Sequence, residues 1–323
     1  MWRGFPAGSN SAMLMPKAIS ATVCEIQSGI FVSYMPEQRQ RHVMPGRWEE
    51  GTASEPSEDS LFHKLLSGCF KDDPDADEKI ALLQEVTGCA ASGHGTRLKA
   101  PKAVTLLGPG AQNGKGQILD VMRGVLPPSA CCSVSPSEFG DQHARIELKG
   151  KLLNTSDELG TSHAITSDKF KSTVTGDPIA GRGLFRNRMT FRPEAQHVFA
   201  ANDLPSFAGG MDSGVRRRLM VVEFHRTIPD GEQIADIGQR IAAEEPDLLL
   251  AWAVEGAARV IQRGRVRGAL KRDGVEYYVG GSRRGFFGML LRGGRSASAM
   301  EAAGAALIDR ANEKRKREAR GRH

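Results

Sequence analysis

Apolar positions along this chain fall into two rhythms. Leu61, Leu65 and Leu66, and then Ile80, Leu82, Leu83 and Val86, recur at helical spacing and predict two helices with one buried face each. Asp75 or Asp77 is placed to start the second. Residues 103–107 instead form a short, continuous, apolar and β-branched run closed by glycines, the signature of a buried strand. Helical periodicity then returns, with Ile118, Leu119, Val121, Met122, Val125 and Leu126 on one side and Pro127-Pro128 as the stop. Residues 152–155, 198–201 and 220–224 are further strand candidates, and the stretches between them, 169–175 among them, read as helical. Strands alternating with helices predict an α/β fold with a mainly parallel sheet. After Pro229 two helical patterns follow, one through Ile234, Ile237 and Ile241, the other over 248–261 and opened by Glu245-Pro246-Asp247.

The two ends lack such patterning. Residues 1–58 mix Gly, Pro, Ser, Arg and Met, with an acidic, turn-rich stretch near their end, and read as poorly ordered or linker-like. From Arg263 onward Gly and Arg dominate and the periodicity fades. The expected division is an N-terminal segment 1–58, a helical segment 59–98, a core 99–228, C-terminal helices 229–262 and a basic tail 263–323.

Composition supports a packed core: of 323 residues, 40% are hydrophobic and 25% charged, which excludes an acidic disordered chain or a fibrous repeat. The formal charge is +6, but residues 263–323 hold 16 Lys or Arg and 6 Asp or Glu, leaving the preceding residues at about −4. The basic excess therefore belongs to the tail. The five cysteines show no C-x-x-C spacing, so neither a zinc site nor a disulfide framework is expected, and a reducing, cytoplasmic setting fits. The apolar run at 248–254 is far too short to span a membrane, and Glu25 interrupts the mildly apolar stretch near the N-terminus.

Candidate chemistry begins between the first strand and its helix, at Gly108-Pro109-Gly110-Ala111-Gln112-Asn113-Gly114-Lys115-Gly116. Glycines there let backbone N–H groups converge on phosphate oxygens, a lysine at the helix start reaches the terminal phosphates, and the helix N-terminus favours negative charge. The pattern G-x-x-x-x-G-K needs glycine where Pro109 stands, and Gly116 replaces the hydroxyl residue that holds Mg²⁺. A plain Gly-rich turn is the alternative reading of the loop alone.

Three later features follow in an order that suits a nucleotide site. Asp157 and Glu158 end a strand as paired carboxylates, Asp157 to orient Mg²⁺ or its water and Glu158 to polarise the attacking water. Asn202 ends another strand, where an amide can sense a terminal phosphate, although an asparagine there is also an ordinary turn residue. Arg217 and Arg218 precede a third strand; an arginine supplied to a neighbouring active site is worth roughly 10³ to 10⁵ in rate in some nucleoside triphosphatases.

This series resembles the superfamily 3 helicases, in particular the helicase part of phage and plasmid primase-helicases related to the poxvirus primase-helicase. The carrying segments are LLGPGAQNGKGQILDVMRGVLP, KLLNTSDEL, FKSTVTGDPIAGRGLF, FRPEAQHVFAANDLPSF and GVRRRLMVVEF, with LLQEVTGCA similar to the helical segment before the ATPase. The resemblance implies a P-loop NTPase with an AAA+-like core and flanking helices, working as a homo-hexamer that hydrolyses ATP with Mg²⁺ to move on single-stranded or forked DNA, alongside a primase or other replication proteins. It makes Gly108, Gly110, Asn113, Gly114, Lys115 and Gly116 the nucleotide loop, Asp157 the metal residue, and Glu158, Asn202 and Arg217 or Arg218 the catalytic set. Lys171, Arg182, Arg186 and Arg188, leading into a DNA-contacting hairpin, become candidates for phosphate contacts, the chemistry that supplies most sequence-independent affinity. The chain departs from the family in a loop lengthened at Gln112, in Gly116, in the lack of a primase constellation upstream and in its tail. A DNA-binding prophage remnant with weak or no ATPase activity is the alternative, and a packaging motor or metabolic kinase a third reading.

Overall fold

A computed structural model describes residues 22–25, 30–33, 42–48, 52–157, 159, 164–267, 270–272 and 275–278. The chain begins with the short hairpin β1 (Thr22–Glu25) and β2 (Ile30–Ser33), followed by helices α1 (Leu61–Phe70) and α2 (Ala76–Ala91). Strand β3 (Ala103–Leu107) leads into α3 (Lys115–Gly124), and β4 (Cys131–Cys132), the short α4 (Gln142–Arg145) and β5 (Leu153–Ser156) come next. Helix α5 (Ser167–Val174), a hairpin of β6 (Ile179–Gly181) and β7 (Met189–Phe191), β8 (Gln196–Ala201), α6 (Ser213–Arg216) and β9 (Leu219–Glu223) complete the centre. Helices α7 (Ile237–Glu244) and α8 (Pro246–Arg263) and strands β10 (Leu270–Arg272) and β11 (Val275–Tyr278) follow.

The main sheet has the order β10-β11-β9-β3-β8-β5-β4, and among the described residues only β10 runs against its neighbour. Every residue of β3, β5, β8 and β9 is buried. Helices on both faces cause this, and it is why these strands read as continuous apolar runs rather than alternating ones. Leu106, Val198 and Met220 face one layer, with Leu82, Leu119 and Trp252; Val221, Phe199 and Leu219 face the other, with Phe139, Phe170 and Val215. The result is an α/β fold with a mostly parallel sheet and helices before and after it.

The flanking helices are locked to each other by contacts that periodicity does not show. A Cβ on Gly88 would lie 2.2 Å from the Ala257 nitrogen and one on Gly256 2.1 Å from the Gln84 carbonyl, so α2 and α8 pack backbone to backbone. Beside that crossing, Glu85 is fully buried and accepts from Arg263 Nη1 at 2.9 Å and from the Arg267 backbone at 2.6 Å, with Arg259 Nε 3.6 Å away. Glu245 reaches back to accept from the backbone of Leu61 and Phe62 at 2.7 and 3.0 Å, so the residue before α8 caps α1.

Asp75 is the residue before α2, and Pro246 opens α8 as the sequence predicts. The β1–β2 hairpin and β10–β11 fall in the two end segments where no periodicity is legible. Strands of three or four residues at an edge carry too few positions to display one.

Candidate functional site

Residues 108–114 leave the C-terminal end of β3 and turn into α3. Gly110 and Gly114 have φ of +81° and +83°, and Gln112 between them has φ +61°. Two of the glycines are sterically required. A Cβ on Gly108 would lie 2.7 Å from both Asn113 Nδ2 and the Phe224 carbonyl, and one on Gly114 only 2.3 Å from Cys69 Sγ. Around Gly116, in the first turn of α3, nothing lies within 4 Å of such a Cβ. The lengthened loop is fastened at Gln112, whose carbonyl accepts from the Ile228 backbone at 2.7 Å. Asn113 is buried and donates to the Gly110 carbonyl at 3.2 Å.

Lys115 is only 7% exposed, and its Nζ donates to the carbonyls of Gly108 at 2.7 Å and Gly110 at 3.3 Å. Burial pushes its pKa down to about 8. An ammonium drawn out of water and met by neutral carbonyls is short of negative charge, so a phosphate suits this position. Asn202, just past β8, stands within 3.3 Å of that ammonium. With its amide nitrogen turned to the loop it donates to Gly108 and Gly110 at 3.2 Å each, the orientation that matches donors to acceptors. The structure thus brings together Gly108, Gly110, Asn113, Gly114, Lys115 and Asn202.

The acidic strand lies further away, because β8 is inserted between β3 and β5. Asp157, just past β5, accepts from Arg123 Nη2 at 2.6 Å; Arg123 Nε donates to Thr155 Oγ1 at 2.9 Å and Nη1 to Asp120 at 3.0 Å. Arg123 lies on α3, two turns beyond Lys115, and sequence reasoning missed it. Its only local signal is the Asp120–Arg123 pair three residues apart. Glu158 lies outside the described residues.

Among the described residues no group of three His, Cys, Asp or Glu side chains could hold a metal ion. Mg²⁺ beside phosphates commonly takes only one or two carboxylates and keeps its waters, which Asp157, with 61% of its side chain exposed, can supply.

Arg217 and Arg218 stand at the start of β9, and β9 runs parallel to β3 with Leu219 opposite Ala103. They therefore lie at the sheet edge opposite the loop, a strand length or about 13 Å away. Arg217 is exposed, while Arg218 Nη1 donates to the Gly214 carbonyl at 2.8 Å and its Nε is buried without a partner. The chain does not bring these arginines to Lys115.

Of the residues expected to meet DNA, Lys171 is bound 3.0 Å from both Asp168 and Asp212, whose hydrogen bonds raise its pKa. Arg182, Arg186 and Arg188 are exposed together on the loop joining β6 and β7. The base of that hairpin is pinned by the buried Arg145, which donates to the carbonyls of Ala180 at 2.9 Å and Phe139 at 2.8 Å.

A model for a family of unknown function (DUF5906) matches residues 106–218. That interval is about a third of the chain, and it runs from β3 to Arg218, enclosing every candidate site residue. The ribose import binding protein RbsB of Escherichia coli (strain K12) is 26% identical over 200 residues, 58% of this chain and 67% of that protein. Among solved structures, the apo C-terminal region of NrS-1 in its A form is 13% identical with a TM-score of 0.47, over 66% of this chain and 52% of that one. JCV helicase is 12% identical with a TM-score of 0.36, over 64% and 60% respectively. This chain thus spans about half the length of the NrS-1 structure. Likenesses this distant decide neither fold nor function, and the fold is given by the strand order and register of the sheet. Among the described residues no helix is long and apolar enough to cross a membrane.

Proposed function

We propose that this chain is an ATP-hydrolysing motor on single-stranded DNA, a helicase or translocase of the superfamily 3 type used in replicating a phage or plasmid. The observation that carries the reading is the buried Lys115 ammonium, held by loop carbonyls beside Asn202 at the start of a helix. The loop would take the phosphates of ATP, Asp157 with its neighbour Glu158 would serve Mg²⁺ and the attacking water, and Asn202 would report the terminal phosphate. Arg217 and Arg218, at the far edge of the sheet, suit a site on a second subunit, which fits a ring of identical chains and a homo-hexamer in particular. The exposed arginines of the β6–β7 hairpin would hold DNA, and a primase or other replication proteins would be partners.

One pair of observations favours a weaker enzyme. Gly116 offers no hydroxyl to a metal, and Arg123 occupies Asp157. A DNA-binding remnant with little turnover is therefore the second reading. ATP hydrolysis measured with and without single-stranded DNA decides between them. The motor reading expects DNA-stimulated turnover that Lys115→Ala abolishes; turnover indifferent to both DNA and the substitution sinks it.

A further inference from the structure

Four large hydrophobic side chains are conspicuously exposed among the described residues, and Leu184, Phe185 and Met189, three of them, sit at the β6–β7 hairpin. Phe185 is fully exposed and has φ +56°, a left-handed conformation that costs a bulky residue on the order of 1 kcal/mol. Its ring gains no packing in return. The tip is nevertheless ordered by its own bonds: Arg186 donates its backbone N–H to the Gly183 carbonyl at 3.1 Å, Arg182 Nε donates to the Arg186 carbonyl at 3.2 Å, and the Arg182 backbone donates to Gln142 at 3.0 Å. Gly181 lets the hairpin lie close on α4's end, since a Cβ there would be 3.0 Å from Ile146. With Arg145 pinning its base, this is a rigid projection that holds an aromatic ring out to water.

The charge around the ring narrows what it meets. Arg182, Arg186 and Arg188 flank Leu184 and Phe185 in the same exposed loop, and no acidic residue occurs in the sequence between Pro178 and Pro193. An apolar tip that shares its loop with three cations complements a ligand with flat apolar faces on an anionic spine. We infer that Phe185 is a stacking platform for an unpaired base of single-stranded nucleic acid, with Arg182, Arg186 and Arg188 on the flanking phosphates and Leu184 packing beside the base. The inference rests on the reading that the chain works on single-stranded DNA, and it adds a base contact that tolerates any sequence, because every base presents a π face.

Stacking and phosphate contact leave different marks on salt dependence. Counterion release scales with phosphates neutralised, at about 0.7 in log–log slope for each on a single strand, whereas a lost stack weakens binding equally at every salt concentration. The test titrates the full chain against a fluorescein-labelled oligothymidylate by anisotropy over a salt series. Phe185→Ala is expected to weaken binding roughly 5- to 150-fold with an unchanged slope. Phe185→Trp is expected to restore affinity and to lose indole fluorescence when DNA binds. Arg186→Ala with Arg188→Ala is expected to flatten the slope. Thermal midpoints of the variants check that each folds. Wild-type affinity in Phe185→Ala, with the arginine variant weakened, overturns the stacking inference and leaves the motor reading standing. Wild-type affinity accompanied by a change in particle size overturns it in favour of a protein contact. A wild-type chain that neither binds the oligonucleotide nor responds to it in ATP turnover removes the motor reading itself.

Discussion

Arg123 donates to Asp157 at 2.6 Å, so the helix that starts with Lys115 also grips the first carboxylate of the acidic motif. A cation that needs Asp157 has to compete with a guanidinium already in place. Arg123→Gln is expected to leave stability within about 1 kcal/mol of wild type, because the pair is partly exposed. It is also expected to tighten Mn²⁺ binding several-fold in the presence of a non-hydrolysable nucleotide, read by electron paramagnetic resonance. Unchanged Mn²⁺ affinity would show that Asp157 does not hold the metal.

On the function proposed above, Lys115 would make nucleotide binding sensitive to alkali. Burial lowers its pKa to about 8 from the ordinary 10.5, so folding disfavours the charged lysine. That cost is fully present below about 8 and is relieved as pH rises toward 10.5, while phosphate binding needs the charged form. Nucleotide affinity is expected to fall above pH 8, approaching about tenfold per pH unit. Calorimetry in buffers of different ionisation enthalpy should show proton uptake on binding in the same range. A flat affinity profile to pH 9.5 would separate Lys115 from the phosphates.

Neighbouring glycines should behave in opposite ways. Gly114→Ala forces a methyl against Cys69 at a left-handed position, and a loss of about 2 kcal/mol or more is expected in chemical denaturation. Gly116→Ser meets open space, should fold as the wild type does, and is expected to lower the Mg²⁺ concentration needed for half-maximal ATP turnover. Equal stability of the two variants would contradict the loop geometry.

Glu85 is the anchor of the C-terminal helix. Removing a buried carboxylate that meets Arg259, Arg263 and Arg267 strands their charges, so Glu85→Ala is expected to cost about 3–5 kcal/mol in urea unfolding. A loss below 1 kcal/mol would mean that the cluster is not a structural tie.

How legible the molecule is in its sequence depends on the range of the interaction. Strands β3, β5, β8 and β9 and helix α8 could be read because burial on both faces, or along one stripe, leaves runs of apolar residues in order. The glycine-rich loop is visible in the sequence, and close contacts with Asn113, Phe224 and Cys69 leave no room for a side chain at Gly108 or Gly114. Asn202 stands out in the sequence only by its position in a series, and the fold sets it beside Lys115. The Arg123–Asp157 pair, the Glu85 cluster and the Gly88–Gly256 crossing join residues far apart in the chain, and no periodicity encodes such meetings. Lys171 shows the same limit from the other side: its charge is visible in the sequence, but the carboxylate of Asp212 that occupies it is brought by the fold.

The insertion of β8 sets a gauge. With one strand between them, the tips of β3 and β5 lie two ladder spacings apart, roughly 9–10 Å. On the function proposed above, a phosphate chain held at Lys115 would have to pass Asn202 and cross that gap before it could reach Asp157 and displace Arg123. The strand order would then act as a ruler, tying the Arg123–Asp157 pair to the length of the chain that binds.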